Sequence, residues 1–214
     1  MKYSLLATAL VAATMAVPAN ATVVVSFAPA SPTATAGTTV IQDFESFADG
    51  AVIGVNAKVF ANSVSGVAAR PNYGSTGNFA AVLGTPNAGS YTINFGPTNL
   101  FAFTLGSLDT YNSLTLLFVG GGSTTYSGGQ IINDLIFPSG NQISGETNGQ
   151  VSYRVTGGPL ITGATFGSTA NSFEFDNIAT AVPEPATWGL MVLGFGMIGA
   201  AARSRKVKTT VRFA

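Results

Sequence analysis

Hydrophobic and polar residues alternate with a period of two through most of the chain. Tyr91, Ile93 and Phe95 alternate with Thr92 and Asn94, Val151, Tyr153 and Val155 with Ser152 and Arg154, and Phe173 and Phe175 with Glu174 and Asp176. Successive side chains of a strand point to opposite faces, so each run predicts a half-buried strand. Leu100–Leu105 and Leu114–Val119 are apolar at nearly every position and predict central strands covered on both faces. Turn signals stand between the runs: Gly84-Thr85-Pro86-Asn87, Gly96-Pro97, Gly120-Gly121-Gly122, Gly128-Gly129 and Gly157-Gly158-Pro159. No helical period precedes residue 183. About nine or ten short strands then predict an all-β fold, an antiparallel β-sandwich over 39–182. Its first and last strong strands, Thr39–Phe44 and Phe173–Ile178, are expected to pair, which favours a jelly-roll winding. Ahead of it, residues 22–38 read as a short strand, Val23–Phe27, and a Pro/Ala/Thr-rich linker.

Two longer apolar runs lie at the ends. Met1-Lys2-Tyr3 is followed by the run Leu5–Val17, too short to span a bilayer, and then by Ala19-Asn20-Ala21. A basic start, a short apolar centre and an A-x-A site make residues 1–21 a signal peptide, with Ala19 and Ala21 fixing cleavage before Thr22. The partners implied are signal peptidase and the secretion machinery. The second run occupies 186–202 and ends in a basic cluster containing Arg203, Arg205 and Lys206. Its length reaches the lower limit for a spanning helix. Trp188 at one membrane interface and the cluster at the cytoplasmic one place the preceding domain outside and the tail inside. Pro183 and Pro185 bracket Glu184 and hold an extended segment before the helix, the form in which a protease binds a chain.

Pro183-Glu184-Pro185, Trp188, the Met191–Gly196 run and the basic end together resemble a PEP-CTERM sorting signal of the PEPxxWA subclass, spanning 183–214. Gly189 stands where the subclass has Ala, and Thr209–Ala214 extends past the basic cluster. The resemblance implies recognition by an exosortase in the inner membrane of a Gram-negative bacterium. It implies delivery to the cell surface or extracellular matrix, in company with exopolysaccharide and biofilm.

Composition narrows the chemistry. The chain has no Cys and no His, which removes disulfide staples, Ser-His-Asp and Cys-His nucleophile systems and the usual zinc sites. Between Thr22 and Val182 only Lys58, Arg70 and Arg154 are basic, against eight acids, so the domain has no electrostatic footprint for nucleic acid. Only 8% of residues are charged, and the acids that exist therefore stand out.

Asp43 and Glu45 lie two apart, as do Glu174 and Asp176. Pairing of the terminal strands would gather four carboxylates, a set that suits a structural calcium ion, or alternatively a solvated outer face. Asp109, Tyr111 and Asn112 join two strong strands and offer hydroxyl acceptors beside an aromatic ring, a sugar-binding arrangement; as an alternative, Asp and Asn there simply form a turn. No motif sets two carboxylates across a cleft, so the expectation is a non-enzymatic surface or matrix protein. A carbohydrate-binding module for the cell's own polysaccharide is the alternative, and a glycoside hydrolase the third reading.

Overall fold

The computed structural model describes residues 21–182 and 185–203. Twelve strands are present: β1 (Thr22–Pro29), β2 (Thr38–Gln42), β3 (Val52–Gly54), β4 (Ala57–Phe60), β5 (Phe79–Val82), β6 (Gly89–Thr98), β7 (Leu100–Gly106), β8 (Asn112–Phe118), β9 (Ser123–Ser127), β10 (Gly149–Gly157), β11 (Ile161–Ser168) and β12 (Phe173–Ala181). They build two antiparallel sheets. The eight-stranded sheet runs β1-β10-β7-β12-β5-β4-β3, with β2 also on β12, and the four-stranded sheet runs β6-β11-β8-β9. From β5 to β12 the chain changes sheet at every step except the β8–β9 hairpin.

The first and last strong strands do pair, with Gln42 opposite Ile178 and Val40 opposite Ala179. Val23–Phe27 belongs to the sandwich, because β1 runs along β10 with Phe27 opposite Val151. β7 is buried on both faces, as its unbroken apolar run predicts. In β8 only alternate residues are fully buried, since one face of the smaller sheet is only partly covered. Gly96-Pro97 is not a turn but lies inside β6. That strand is an edge of its sheet, where a proline need not donate to a neighbour, and its pairing with β11 slips between Ile161 and Gly163.

Aromatic rings fill the space between the sheets. Phe101 and Phe103 of β7, Tyr153 of β10, Phe166 of β11 and Phe173 and Phe175 of β12 are fully buried. Phe166 stacks on Phe175 with centroids 3.8 Å apart and meets the edge of Phe103 at 4.9 Å. The Tyr153 hydroxyl donates to the Ile131 carbonyl at 2.7 Å, so the one polar atom of that ring is satisfied inside the core.

The outer face of the larger sheet is covered over β5, β7 and the first half of β12. Glu174 lies opposite Gly106, and Asp176 opposite Thr104, on neighbouring strands. The connection from β4 to β5, residues 61–78, folds over this face. Pro71 sits so close to Gly106 that a side chain there would meet its Cα at 2.9 Å. The Asn177 amide donates to the Gly74 carbonyl at 2.8 Å and ties the loop to β12. Phe173 and Phe175 therefore face the aromatic core, while Glu174 and Asp176 are buried on the opposite side beneath this loop, at 2% and 1% exposure.

Candidate functional site

A cleft of about 180 Å³ opens where the 61–78 loop meets the β7–β8 turn and the residues entering β12. Glu174, Asp109 and Tyr111 line it, together with Ser107, Gln142 and Ser172. Each polar group reaches it by a different route. Strand alternation drives Glu174 outward from the core, where the backbone N–H of Ala69 donates to its Oε1 at 2.9 Å and the Ser172 hydroxyl donates to the same oxygen. Its Oε2 is buried and has no hydrogen-bond partner among the described residues. Burial pushes this carboxyl up to about 7; the bonds from Ser172 and Ala69 oppose the shift, and the nearby Asp109 charge adds to it.

Asp109 is also buried, but both its oxygens are engaged. The Tyr111 hydroxyl donates to Oδ2 at 2.7 Å and the Ser139 hydroxyl to Oδ1 at 2.6 Å. The Asn171 carbonyl lies 2.7 Å from the same Tyr111 oxygen. Burial, and then the bond to Asp109, push the Tyr111 phenol well above its ordinary value, so it remains a proton donor. The ring of Tyr111 is thereby fixed as a wall of the cleft.

Asn112 departs from the expected trio. It is 1% exposed. Its side-chain oxygen accepts from the Asp109 N–H at 2.6 Å, and its amide donates to Ser168 and to the Ser172 carbonyl. All its capacity is spent inside the fold. It shapes the β7–β8 turn instead of offering itself to a ligand, while Asp109 and Tyr111 do line a cavity. Glu174, which the sequence pattern assigned to a carboxylate cluster elsewhere, is the residue that reasoning misplaced. No local pattern signals this placement, because its partner Ala69 lies 105 residues away along the chain.

The four carboxylates Asp43, Glu45, Glu174 and Asp176 do not share one site. β2 ends at Gln42, and Phe44, with φ +62° and a fully buried ring, turns the chain between Asp43 and Glu45. Asp43 accepts from the Glu45 N–H at 3.2 Å, and Glu45 accepts from the Asn78 N–H at 2.9 Å; both residues are exposed. Asp176 takes the Ser75 hydroxyl at 2.7 Å and the Asn177 N–H at 2.7 Å. Burial lifts its carboxyl to about 7 against those two bonds, and the charges of Glu45 and Asp43 push the same way. Among the described residues no group of three or more acidic side chains comes together as a cation site. The expected calcium cluster is thus split by register. β2 pairs only with the 178–181 end of β12, and the half carrying Glu174 and Asp176 pairs with β5 and β7.

The end of the sandwich leads directly into the second region of interest. β12 stops at Ala181, and a helix, α1 (Pro185–Arg203), begins four residues later. Proline at the first helical position is favourable, because that N–H has no helical partner to lose. Met191, Val192, Leu193, Phe195, Met197 and Ile198 on α1 are between 48% and 68% exposed, and Arg203 at its end is exposed too. Among the described residues, however, no helix is long and apolar enough to cross a membrane. At 19 residues α1 measures about 28 Å against a hydrocarbon core of about 30 Å. Gly189, Gly194, Gly196 and Gly199 also dilute its apolar content. Ala21 is the first described residue and packs against the core. Ala19, Pro183, Glu184, Arg205 and Lys206, and the side chains of Pro185 and Trp188, lie outside the described residues.

No curated protein and no solved structure matches the chain. A protein-family comparison matches residues 181–206, the end of β12, the Pro-Glu-Pro segment, α1 and the start of the basic cluster. The description of the matched family agrees with the resemblance read from these same residues, and the chain carries a PEP-CTERM protein-sorting motif at its C-terminus.

Proposed function

We propose that this exosortase-targeted surface protein is a non-enzymatic component of an exopolysaccharide matrix or biofilm. The observation that carries the reading is the placement of the sorting motif. It starts at the last strand of a closed sandwich, so processing beyond residue 182 leaves the domain whole. In this reading the signal peptide 1–21 is removed by signal peptidase after export. The apolar surface of α1 and the basic residues after it then hold the precursor at the inner membrane until the exosortase acts. The winding of β5 to β12 between two sheets, which is that of a jelly roll, supplies a disulfide-free domain suited to display outside the cell. Nucleic acid is no partner for a domain with three basic residues.

A second reading, a module that binds the cell's own polysaccharide, is favoured by one feature: the cleft holding Glu174, Asp109 and Tyr111. This reading assigns the cleft to binding and not to catalysis, with Asp109 holding the Tyr111 and Ser139 hydroxyls in place.

Cell fractionation tests the leading reading. In cells lacking the exosortase, a precursor that still carries the segment after residue 182 accumulates in the inner-membrane fraction. In the parent strain a trimmed form co-purifies with extracted exopolysaccharide. A chain equally trimmed and equally surface-exposed in both strains overturns it.

A further inference from the structure

We infer that the Glu174 cleft is a binding site for a single neutral sugar residue, with Glu174 Oε2 and the Tyr111 ring as its two recognition elements. This rests on the exopolysaccharide reading above and gives it a ligand class and a place. The starting point is an orphaned acceptor. A buried oxygen without a donor is costly, and folds seldom leave one unless something else supplies the donor. Here the oxygen belongs to a side chain that is 2% exposed and lines an open cleft, and a hydroxyl entering that cleft is the donor assigned to it.

The lining chooses among donors. An anionic ligand is excluded by two carboxylates and by the absence of Lys or Arg from the lining. A metal ion finds no group of three acidic side chains among the described residues, and both Asp109 oxygens already face hydroxyl hydrogens. A neutral hydroxylated ring fits what remains. One hydroxyl donates to Glu174 Oε2, the exposed Gln142 amide at the rim both donates and accepts, and the fixed Tyr111 ring offers an apolar wall to the C–H face. About 180 Å³ admits one sugar ring and no more. The site therefore takes a chain end or one residue of a polymer, not an extended segment.

The test uses the purified full chain in a sugar-free detergent at pH 8, titrated with glucose, galactose, mannose, their N-acetylated amines, glucosamine and glucuronic acid, followed by ligand-observed NMR. At least one neutral sugar saturates a single site, and glucuronic acid does not bind. Glu174→Gln keeps the shape and the Ala69 and Ser172 bonds but replaces the free acceptor; it weakens that binding roughly ten- to hundredfold. Its melting curve confirms that it is folded. No saturable binding by any neutral sugar, equal binding by Glu174→Gln, or binding of glucosamine alone overturns the site. These results leave the surface reading standing if exosortase-dependent trimming and co-purification with exopolysaccharide persist. Loss of those two with sugar binding intact overturns the surface reading instead.

Discussion

Replacing Glu174 by glutamine removes a charge that the fold must otherwise bury. Glu174 is 2% exposed and its carboxyl is raised from an ordinary value of 4.5 to about 7, mainly by burial. A raised carboxylate value means that the folded chain holds a proton which the unfolded chain has already released. The stability from this group is complete below about pH 4.5, declines as the pH rises and is gone above about pH 7. The difference is worth on the order of 3 kcal/mol, most of it lost between pH 5 and pH 8. Glutamine does not titrate, and its oxygen still accepts from Ala69 and Ser172. Urea or thermal melts of parent and Glu174→Gln, taken at pH 5, 6, 7 and 8, measure the difference. The variant is expected to gain on the parent as the pH rises, by about 6–12 °C in Tm at pH 8 relative to pH 5 for a domain of this size. Asp176, also raised to about 7, produces the same trend in both proteins and cancels in the comparison. A stability difference that is flat with pH, or that favours the variant most at pH 5, refutes the assignment of Glu174 as a buried, desolvated carboxyl.

Two further outcomes follow from the packing and the split of the acids. Phe166→Ala removes a ring that contacts Phe103, Phe173 and Phe175 and should cost about 3–5 kcal/mol, read as a lowered urea midpoint; a loss below about 1 kcal/mol contradicts the inter-sheet aromatic core. Excess chelator should leave the melting temperature unchanged, because Asp176 and Glu174 are held by Ser75, Ala69 and Ser172 and not by a shared cation; a fall of several degrees would restore a structural metal.

The fold class was legible because side-chain alternation is a local property, and runs such as Val151–Val155 and Phe173–Ile178 carry it openly. The pairing of β2 with β12 was also accessible, since both ends of the domain show strong strand patterns. Register was not. Two residues past Gln42 the backbone enters a left-handed turn at Phe44, and a bulge in β12 separates Asp176 from Ala179. Those two irregularities decide which carboxylates meet, and neither leaves a mark in the hydrophobic pattern. The same limit applies to Gly96-Pro97, whose turn signal is overridden by an edge strand that tolerates proline. At the cleft, Asp109 and Tyr111 stood out as polar and aromatic residues in a turn. Asn112 has the same composition signal but spends its bonds inward, and Glu174 arrives from a strand near the far end of the domain. The sorting motif was the most legible feature, because it is carried by a short contiguous stretch of sequence and not by the rest of the fold.

The central claim, that the C-terminus is a sorting signal, is tested most directly by Glu184→Ala and by a Pro183/Pro185 double substitution in the native host. Glu184 is the only charge between Asp176 and Arg203, and it stands between two prolines where the sandwich gives way to α1. The site lies beyond β12, so the domain's stability should not change. Mass spectrometry of surface and membrane fractions reads the result. Both variants should accumulate as untrimmed precursor retained with the membrane, while the parent appears as a trimmed surface form. Equal trimming and equal display of parent and variants would contradict the account and leave residues 183–214 an ordinary hydrophobic tail.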